Sequence, residues 1–500
     1  MTASLLTDSV MAGLPILSLL IFLPAVSALL VPFLSSNNRV RWFTFVVLFA
    51  DFLIASWLLL DFDNSTADMQ YIESLTWVPA LGITYKLGID GVSVLFLFLT
   101  ALLGWICVLA SWNSIKERLK EFMICLLVIQ SLMLGVFCAL DFFLFYVFWE
   151  AMLIPMYLMI GIWGGDNRIY AAFKFFLYTL AGSLLFLVGI LVLYFEGGRT
   201  FDILALTHGQ YDFNVQAWVF VSFLVAFAVK VPMVPLHTWL PDAHVQAPTA
   251  GSIILAGVLL KMGAYGFIRF SLPMLPDASQ YFAPLMQILS AVAIVYGGFL
   301  ALAQTDIKKL IAYSSVSHMG FITLGLFTFT MNGTSGAVIQ MFNHGITTGA
   351  LFLFVGLVYE RTHSRDIPAY GGLIKVIPLY GIFFASFLLS SMAVPGTNGF
   401  IGELLVLSGT FGVNNWAAGA GVFGALLGAA YLLSLYRQML LGPVSIPGEA
   451  KMWDLGIREL CCAVPLLIFI FWVGLYPKPL LSILQPTLKQ LLGQIMGRGL

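Results

Sequence analysis

The chain alternates between long apolar runs and short polar connections. Fourteen apolar runs can be counted, at roughly 13–35, 41–60, 91–111, 122–140, 141–163, 172–196, 216–239, 248–270, 280–303, 308–330, 336–360, 374–411, 416–440 and 456–476. A helix needs about 20 apolar residues to cross the hydrocarbon layer, whereas a barrel strand needs only about 10. Because lipid admits only helices and closed barrels, the pattern predicts an all-α polytopic membrane protein with about fourteen transmembrane helices.

The composition agrees with solvation by lipid. Hydrophobic residues make up 60% of the 500 residues and charged residues only 9%, whereas a soluble protein carries about 25% charged residues. This excludes soluble enzymes, nucleic-acid modules and disordered scaffolds. The net charge of −1 offers no basic surface for a nucleic acid.

The positions of Lys and Arg predict the orientation. Fifteen of them fall in alternate connections on one side, and they are Arg39, Arg41, Lys116, Arg118, Lys120, Arg168, Lys174, Lys308, Lys309, Arg361, Arg365, Lys375, Arg437, Lys451 and Arg458. The opposite side has six, which are Lys86, Arg199, Arg269, Lys478, Lys489 and Arg498. The acidic connection 61–90 and both termini fall on this poorer side. Residues 1–13 contain Asp8 but no Lys or Arg, so the first run is interpreted as a retained span, not a cleaved signal peptide.

Two spans are interrupted by proline in their middle, at residues 230–235 and 394–399. They are the seventh and twelfth runs, so they would run in opposite directions, as in the inverted repeats of transporters. Prolines at 232 and 235 cannot donate to the carbonyls of residues 228 and 231. We therefore expect a hydrated pocket beside Lys230 and a similar pocket beside Glu403.

Four charged residues lie inside spans: Glu150, Lys230, Lys261 and Glu403. A charge at the bilayer centre costs about 2.5–3.5 kcal/mol or more, so such residues are candidates for function. Glu150 lies nine residues after Asp141, about 13 Å along a helix. The alternative is that Glu150 and a lysine form a buried salt bridge that only locks helices together.

Asp51 is a less secure candidate than these four. It lies midway along the second apolar run, and a lone carboxylate there could equally reach the membrane interface.

Polar residues form a stripe on one face of the eleventh span. The polar stripe consists of Gln340, Asn343, His344, Thr347 and Thr348, spaced at i, i+3, i+4, i+7 and i+8. Ser314, Ser317 and His318 repeat the pattern in the tenth span. A single intramembrane histidine usually bonds two helices, but five polar residues on one face favour a hydrated path. Histidine suits such a path because it accepts and releases protons near neutral pH.

Other motifs carry no cofactor chemistry. Gly419, Gly421 and Gly424 match G-x-G-x-x-G but lie inside an apolar span, which favours helix packing over dinucleotide binding. His237, Asp242 and His244 have weak spacing for a metal site. The five cysteines lie in apolar runs and are interpreted as structural thiols. No haem, flavin, iron–sulfur or nucleotide signature is present, so the chain is not expected to carry electrons itself.

The densest motifs surround the first interrupted span. They are the stretch from Ala228 to His244, Ala247–Ser252, Leu259–Gly263, Leu87–Gly91, Phe148–Glu150 and Lys309–Gly320. Together they resemble the antiporter-like membrane subunits of respiratory complex I, and within that group the M type. The resemblance covers residues from about 87 to 440, and the carboxylate at Glu403 is itself a feature of the M type.

The resemblance implies a fold and a role for the buried residues. It implies N-terminal helices 1–3 over residues 1–121, a first inverted half-channel over 122–270, a second over 271–440, and a last helix and tail over 441–500. Glu150 and Lys230 would form an input pair, Lys261 a bridge, His318 and His344 a relay, and Glu403 the outlet group.

The resemblance also implies the surroundings of the chain. Its partners would be other membrane-arm subunits, including neighbouring antiporter-like subunits, together with the lipid bilayer and protons, in a bacterial inner membrane with both termini periplasmic. NAD, FMN, iron–sulfur clusters and quinone would bind to those partners, and no cofactor to this chain.

Three other functions remain as alternatives. A free-standing multi-subunit cation/proton antiporter shares this bundle, and a structural membrane spacer would use its charges only to lock helices. A solute transporter is disfavoured because the motif residues are titratable and no substrate-sized polar cluster is present.

Overall fold

The computed structural model describes residues 15–447 and 452–497. The expectations for residues 1–13, Lys451 and Arg498 lie outside the described residues. The α-helices of the described residues are α1 (Ile16–Leu30), α2 (Asn37–Asp61), α3 (Gly91–Ala110), α4 (Leu119–Cys138), α5 (Phe142–Ala151), α6 (Leu153–Trp163), α7 (Arg168–Glu196), α8 (Ile203–Thr207), α9 (Phe213–Lys230), α10 (Trp239–Gln246), α11 (Thr249–Ile254), α12 (Leu260–Gly266), α13 (Leu272–Met274), α14 (Pro276–Leu302), α15 (Ile307–Leu326), α16 (Met331–Thr362), α17 (Leu373–Val376), α18 (Pro378–Ser391), α19 (Asn398–Phe411), α20 (Asn415–Leu440), α21 (Ile457–Leu475) and α22 (Lys478–Gly497).

The helical bundle agrees with the fourteen apolar runs. Within the described ranges, 12 helices are long and apolar enough to cross a membrane. The two remaining runs are α15, which is 20 residues long, and the interrupted pair α18 and α19. Aspartate caps fix several helix starts, because the side chains of Asp90, Asp141 and Asp306 accept hydrogen bonds from backbone amides in the first turn.

The acidic connection 61–90 contains a β-hairpin that was not predicted. Strand β1 (Gln70–Val78) pairs antiparallel with β2 (Ile83–Ile89). Gly82 closes the turn with a φ of +68°, a conformation that glycine adopts without strain. Glu73 accepts a hydrogen bond from the amide of Leu17 at 2.7 Å and so fastens the hairpin to α1. The prediction of an all-α protein is confirmed for the spans, and the hairpin is a small β element outside them.

The predicted breaks at residues 230–235 and 394–399 are confirmed, and other irregularities appear. The fifth span is divided at Met152 into α5 and α6. Pro155 explains this, because it has no N–H for the carbonyl of Ala151 and its ring crowds the preceding turn. The eighth span contains two π-helical segments, Leu255–Leu259 and Phe267–Ser271, on either side of α12.

The C-terminal residues form an amphipathic helix, α22, where only a tail was expected. Its buried residues are mostly leucines at helical spacing: Leu480, Leu484, Leu488, Leu491, Leu492 and Ile495. Thr487 Oγ1 accepts a hydrogen bond from the amide of Gly91 at 3.2 Å, and Gln280 donates to the carbonyl of Ile495 at 2.8 Å. The helix therefore connects the start of α3 with α14.

Candidate proton pathway

Glu150 and Lys230 lie in one region of the bundle, but no salt bridge joins them. The Lys230 side chain is buried, and its ammonium lies 4.8 Å from the centroid of the Trp149 ring, a cation–π distance. Glu150 interacts with Lys230 only electrostatically, and its Oε1 is buried without a hydrogen-bond partner. A contact ion pair that locks helices is therefore not the arrangement in this structure.

The backbone at the first break is more fully hydrogen-bonded than predicted. The carbonyl of Ala228 accepts from the amide of Met233 at 2.8 Å, which replaces the helical donor that is missing at Pro232. The indole N–H of Trp239 donates to the carbonyl of Val229 at 2.9 Å. Lys230 lines none of the four cavities described below, so the expected pocket beside it is not one of them.

Lys261 is completely buried and has two partners. Its ammonium contacts His344 Nδ1 at 2.6 Å and donates to the backbone carbonyl of Ala256. The second partner is a main-chain atom only five residues before Lys261. Ala256 lies in the first π-helical segment, where the wider turn changes the backbone pairing that an α-helix would impose.

A glycine brings the helices of the two lysines close together. A Cβ atom at Gly263 would lie 2.9 Å from Cβ of Lys230 and 2.7 Å from a methyl group of Val231. Only the absence of a side chain at position 263 permits this approach between α12 and the end of α9.

His318 and Glu403 form the second buried pair. His318 Nδ1 lies 3.1 Å from Glu403 Oε1, and His318 Nε2 lies 3.3 Å from the hydroxyl of Ser391. The rings of His318 and His344 are 5.6 Å apart between centroids. Four of the predicted residues, Lys261, His344, His318 and Glu403, therefore form one line through the protein interior. Contacts join its two ends, whereas no hydrogen bond joins the two histidines, and His344 Nε2 has no partner.

The polar stripe of α16 faces the second break. Gln340 donates to Glu403 Oε1 at 3.4 Å, and Asn343 donates to the carbonyl of Asn398 at 2.6 Å. Thr347 lies 2.7 Å from the hydroxyl of Ser390. All the stripe residues are buried.

A small cavity lies beside the stripe and the two histidines. It has a volume of about 10 Å³, close to the space of one water molecule. Its lining includes His318, His344, Thr348 and Ser391. Glu403 is not one of its lining residues, so the hydrated pocket expected beside Glu403 is not this cavity.

Sequence reasoning missed His244 and Lys308. His244 was weighed only as a metal ligand, yet its ring is fully buried, stacks on Phe352 at 4.4 Å and has no hydrogen-bond partner for either nitrogen. It interacts electrostatically with both Lys308 and Lys261. Lys308 donates to the carbonyl of Ala247 at 2.8 Å. The signal that could have found them is the clustering of titratable residues around the interrupted span.

A cavity of about 660 Å³ connects Lys308 with the face rich in Lys and Arg. Its lining includes Arg41, Lys116, Lys308 and Arg365, all of which the charge count places on one side. A cavity of about 330 Å³ is lined by Asp68, Asp90, Arg269 and Thr487. Asp68, Asp90 and Arg269 belong to connections that the count of Lys and Arg places on the opposite side.

The remaining candidates are the possible metal ligands, the glycine motif and Asp51. Asp242 forms a salt bridge with Lys174 at 2.7 Å, and the described residues contain no group of three or more His, Cys, Asp or Glu that could hold a metal ion. A Cβ at Gly424 would lie 2.0 Å from Ile294, which agrees with helix packing by the glycine motif. Asp51 is completely buried without a hydrogen-bond partner for either oxygen, so it does not reach the interface.

The comparisons with known proteins agree with this geometry. Residues 139–428 match the family model of the NADH:quinone oxidoreductase/Mrp antiporter transmembrane domain. The chain is 46% identical to NADH-quinone oxidoreductase subunit M of Rhodobacter capsulatus over 95% of this chain and 96% of that protein. It is 44% identical to NADH-ubiquinone oxidoreductase chain 4 of Arabidopsis thaliana over 95% and 96% of the two chains.

Solved structures share the fold. A chain of respiratory complex I from Thermus thermophilus with bound NADH has a TM-score of 0.87 and 31% identity, with 96% of this chain and 99% of that chain covered. A chain of the Mrp complex from Dietzia sp. DQ12-45-1b has a TM-score of 0.86 at 22% identity, covering 96% and 99% of the two chains, and indicates the fold alone.

Proposed function

Since the chain belongs to the NADH:quinone oxidoreductase/Mrp antiporter family of membrane subunits, we propose that Glu150, Lys230, Lys261, His344, His318 and Glu403 form its proton pathway. The protein is an antiporter-like, proton-translocating M-type subunit of NADH-quinone oxidoreductase.

The observation that carries the proposal is the buried line from Lys261 through His344 and His318 to Glu403. A lysine and a histidine in direct contact at 2.6 Å can exchange a proton without rearranging the backbone. A neutral imidazole accepts a proton at one nitrogen and donates from the other. The relay continues from His318 to Glu403 over 3.1 Å.

The input side works through electrostatics in this proposal. Lys230 lies against Trp149 and interacts electrostatically with Glu150 without contacting it. A nearby carboxylate favours a protonated lysine, and burial favours a neutral one. If Glu150 moves toward Lys230, the lysine therefore keeps its proton. If Glu150 moves away, the lysine releases the proton toward Lys261.

His344→Gln tests the relay, with His208→Gln as the matched control. His344 contacts Lys261 at the centre of the line, whereas His208 is exposed. We expect the His344 variant to assemble normally and to lose most NADH-driven proton pumping, measured by dye quenching in membrane vesicles. The His208 variant should pump normally. Unchanged pumping in the His344 variant, at equal amounts of assembled complex, would favour a spacer role.

The wider organisation is part of the same proposal. Residues 122–270 and 271–440 are the two inverted half-channels, flanked by residues 1–121 and 441–500. The termini and the hairpin lie on the periplasmic side of a bacterial inner membrane. Neighbouring antiporter-like subunits adjoin the chain, and the NAD, FMN, iron–sulfur and quinone sites belong to other subunits. The chain then contributes proton transfer to the enzyme and no redox step.

A free-standing cation/proton antiporter is the second candidate, because the chain of the Mrp complex has the same fold. The greater identity to the subunit M proteins favours the oxidoreductase. Co-purification of the chain with NADH-oxidising activity separates the two. A complex that contains this chain but does not oxidise NADH would favour the antiporter.

A further inference from the structure

An apolar groove of about 820 Å³ runs between α2, α3 and the start of α21. Its wall is aromatic and includes Trp42, Phe49, Trp105 and Trp112. The groove extends from Trp42 to Phe49 along α2, which is about 10 Å at the rise of an α-helix. It plays no part in the proton pathway, and its size and lining suit a hydrocarbon chain.

Positive charge is concentrated at one end of this groove. Arg458 lines the groove with 23% of its side chain exposed, and its Nη1 has no hydrogen-bond partner. Arg41 lines the neighbouring cavity of about 660 Å³, and its guanidinium lies 6.0 Å from the centroid of the Trp112 ring of the groove. Its Nη2 donates to the carbonyl of Ile115 at 3.4 Å, and its Nε has no partner. Both arginines belong to the side on which the charge count places fifteen Lys and Arg residues.

Nearby carboxylates leave this charge partly unneutralised. Glu459 Oε1 is 3.5 Å from Arg458, but Glu459 Oε2 is taken by Arg361 at 2.8 Å and by the amide of Gly456 at 3.0 Å. Arg458 also interacts electrostatically with Glu360. An additional anion that accepts hydrogen bonds would therefore complete the site.

We propose that the groove binds one anionic phospholipid, with an acyl chain along the aromatic wall and the phosphate at Arg458 and Arg41. Arginine binds phosphate through charged hydrogen bonds. Tryptophan is enriched at the level of the lipid headgroups, and basic pockets between helices on the cytoplasmic side recognise anionic headgroups. A free phosphate would leave the apolar groove without an occupant.

The test uses the purified complex and photoreactive lipids with a diazirine near the end of the acyl chain. Phosphatidylglycerol and phosphatidylcholine with identical chains are compared, and the labelled peptides are mapped by mass spectrometry. We expect labelling near Val464 and Pro465, which line the groove, to be about tenfold stronger with phosphatidylglycerol, as one charged hydrogen bond provides. Excess inorganic phosphate should not reduce it.

The variants separate the headgroup from the groove. The double variant Arg41→Gln, Arg458→Gln should lose the preference for phosphatidylglycerol. Arg39→Gln should keep it, because Arg39 is exposed on the same helix and donates to Ser35. Equal labelling by both lipids in the unmodified complex would overturn the proposal, as would competition by inorganic phosphate. No labelling by either lipid would also overturn it.

Discussion

Replacing Lys261 by methionine should stop proton transfer while leaving a side chain of similar length. In the structure the Lys261 ammonium contacts His344 Nδ1 at 2.6 Å and donates to the carbonyl of Ala256. Both groups would be left buried, and an unsatisfied buried polar group costs about 1–3 kcal/mol. The loss of a buried charge offsets part of this cost, so we expect the complex to assemble with slightly reduced thermal stability.

The expected effect on function is much larger than the effect on stability. A positioned proton-transfer group contributes about 10²–10⁴-fold to a rate, so NADH-driven pumping should fall by roughly 100-fold or to the level of the leak. Dye quenching in vesicles, normalised to the amount of assembled complex, measures this. His237→Ala is the control, because His237 is buried toward the end of its span and stacks edge-on against Tyr296. Its variant should retain most of the pumping.

Lys261→Arg distinguishes a relay from a fixed charge. Arginine keeps a positive charge at position 261 but does not release its proton in proteins. A relay role predicts that the Arg variant fails as completely as the Met variant, although a change of side-chain shape must be checked by assembly on native gels. Pumping above half of the wild-type level in the Arg variant would refute the reasoning, because only the charge would then matter.

Three further substitutions test other parts of the structure. Glu150→Gln should nearly abolish pumping with the complex assembled, and Glu150→Asp should keep part of it because the charge survives; normal vesicle pumping in the Gln variant would remove Glu150 from the pathway. Glu403→Lys should pump better than Glu403→Ala, because a buried lysine can still exchange a proton; an Ala variant that matches the Lys variant would exclude a proton-relay role at this position. Asp90→Asn should destabilise the complex by about 3–5 kcal/mol, because the buried Arg269 loses its salt-bridge partner at 2.7 Å; an unchanged melting temperature of the purified complex would contradict this.

The membrane-spanning helices could be predicted closely from the sequence because lipid imposes a simple rule on apolar length. The third run was expected at 91–111 and forms Gly91–Ala110, and the thirteenth was expected at 416–440 and forms Asn415–Leu440. The hairpin was missed although strand β2 alternates apolar and polar residues from Ile83 to Ile89, because the connection was interpreted only by its acidic charge. The division at Met152 was missed because Pro155 stands alone and lacks the polar neighbours of the other breaks.

The candidate site was predictable where charge or helical spacing marked a residue. The i, i+3, i+4 spacing of α16 placed His344 on a polar face, and the structure shows that Lys261 contacts this face. The role of backbone atoms could not be predicted in this way. Neither the bond between Met233 and Ala228 nor the π-helical segments leave a pattern of residue types, because they depend on the path of the main chain.

The partner that the π-helical segment gives to Lys261 has a consequence for genetics. The acceptor is the main-chain oxygen of Ala256, so every residue type at position 256 offers the same acceptor. Ala256 is completely buried, so a larger side chain there would disturb the packing without removing this acceptor. Removal of one residue from Leu255–Leu259 would restore an ordinary helical turn and rotate the following residues by about 100°. In this stretch, therefore, a deletion can remove the main-chain partner of Lys261, whereas a substitution cannot.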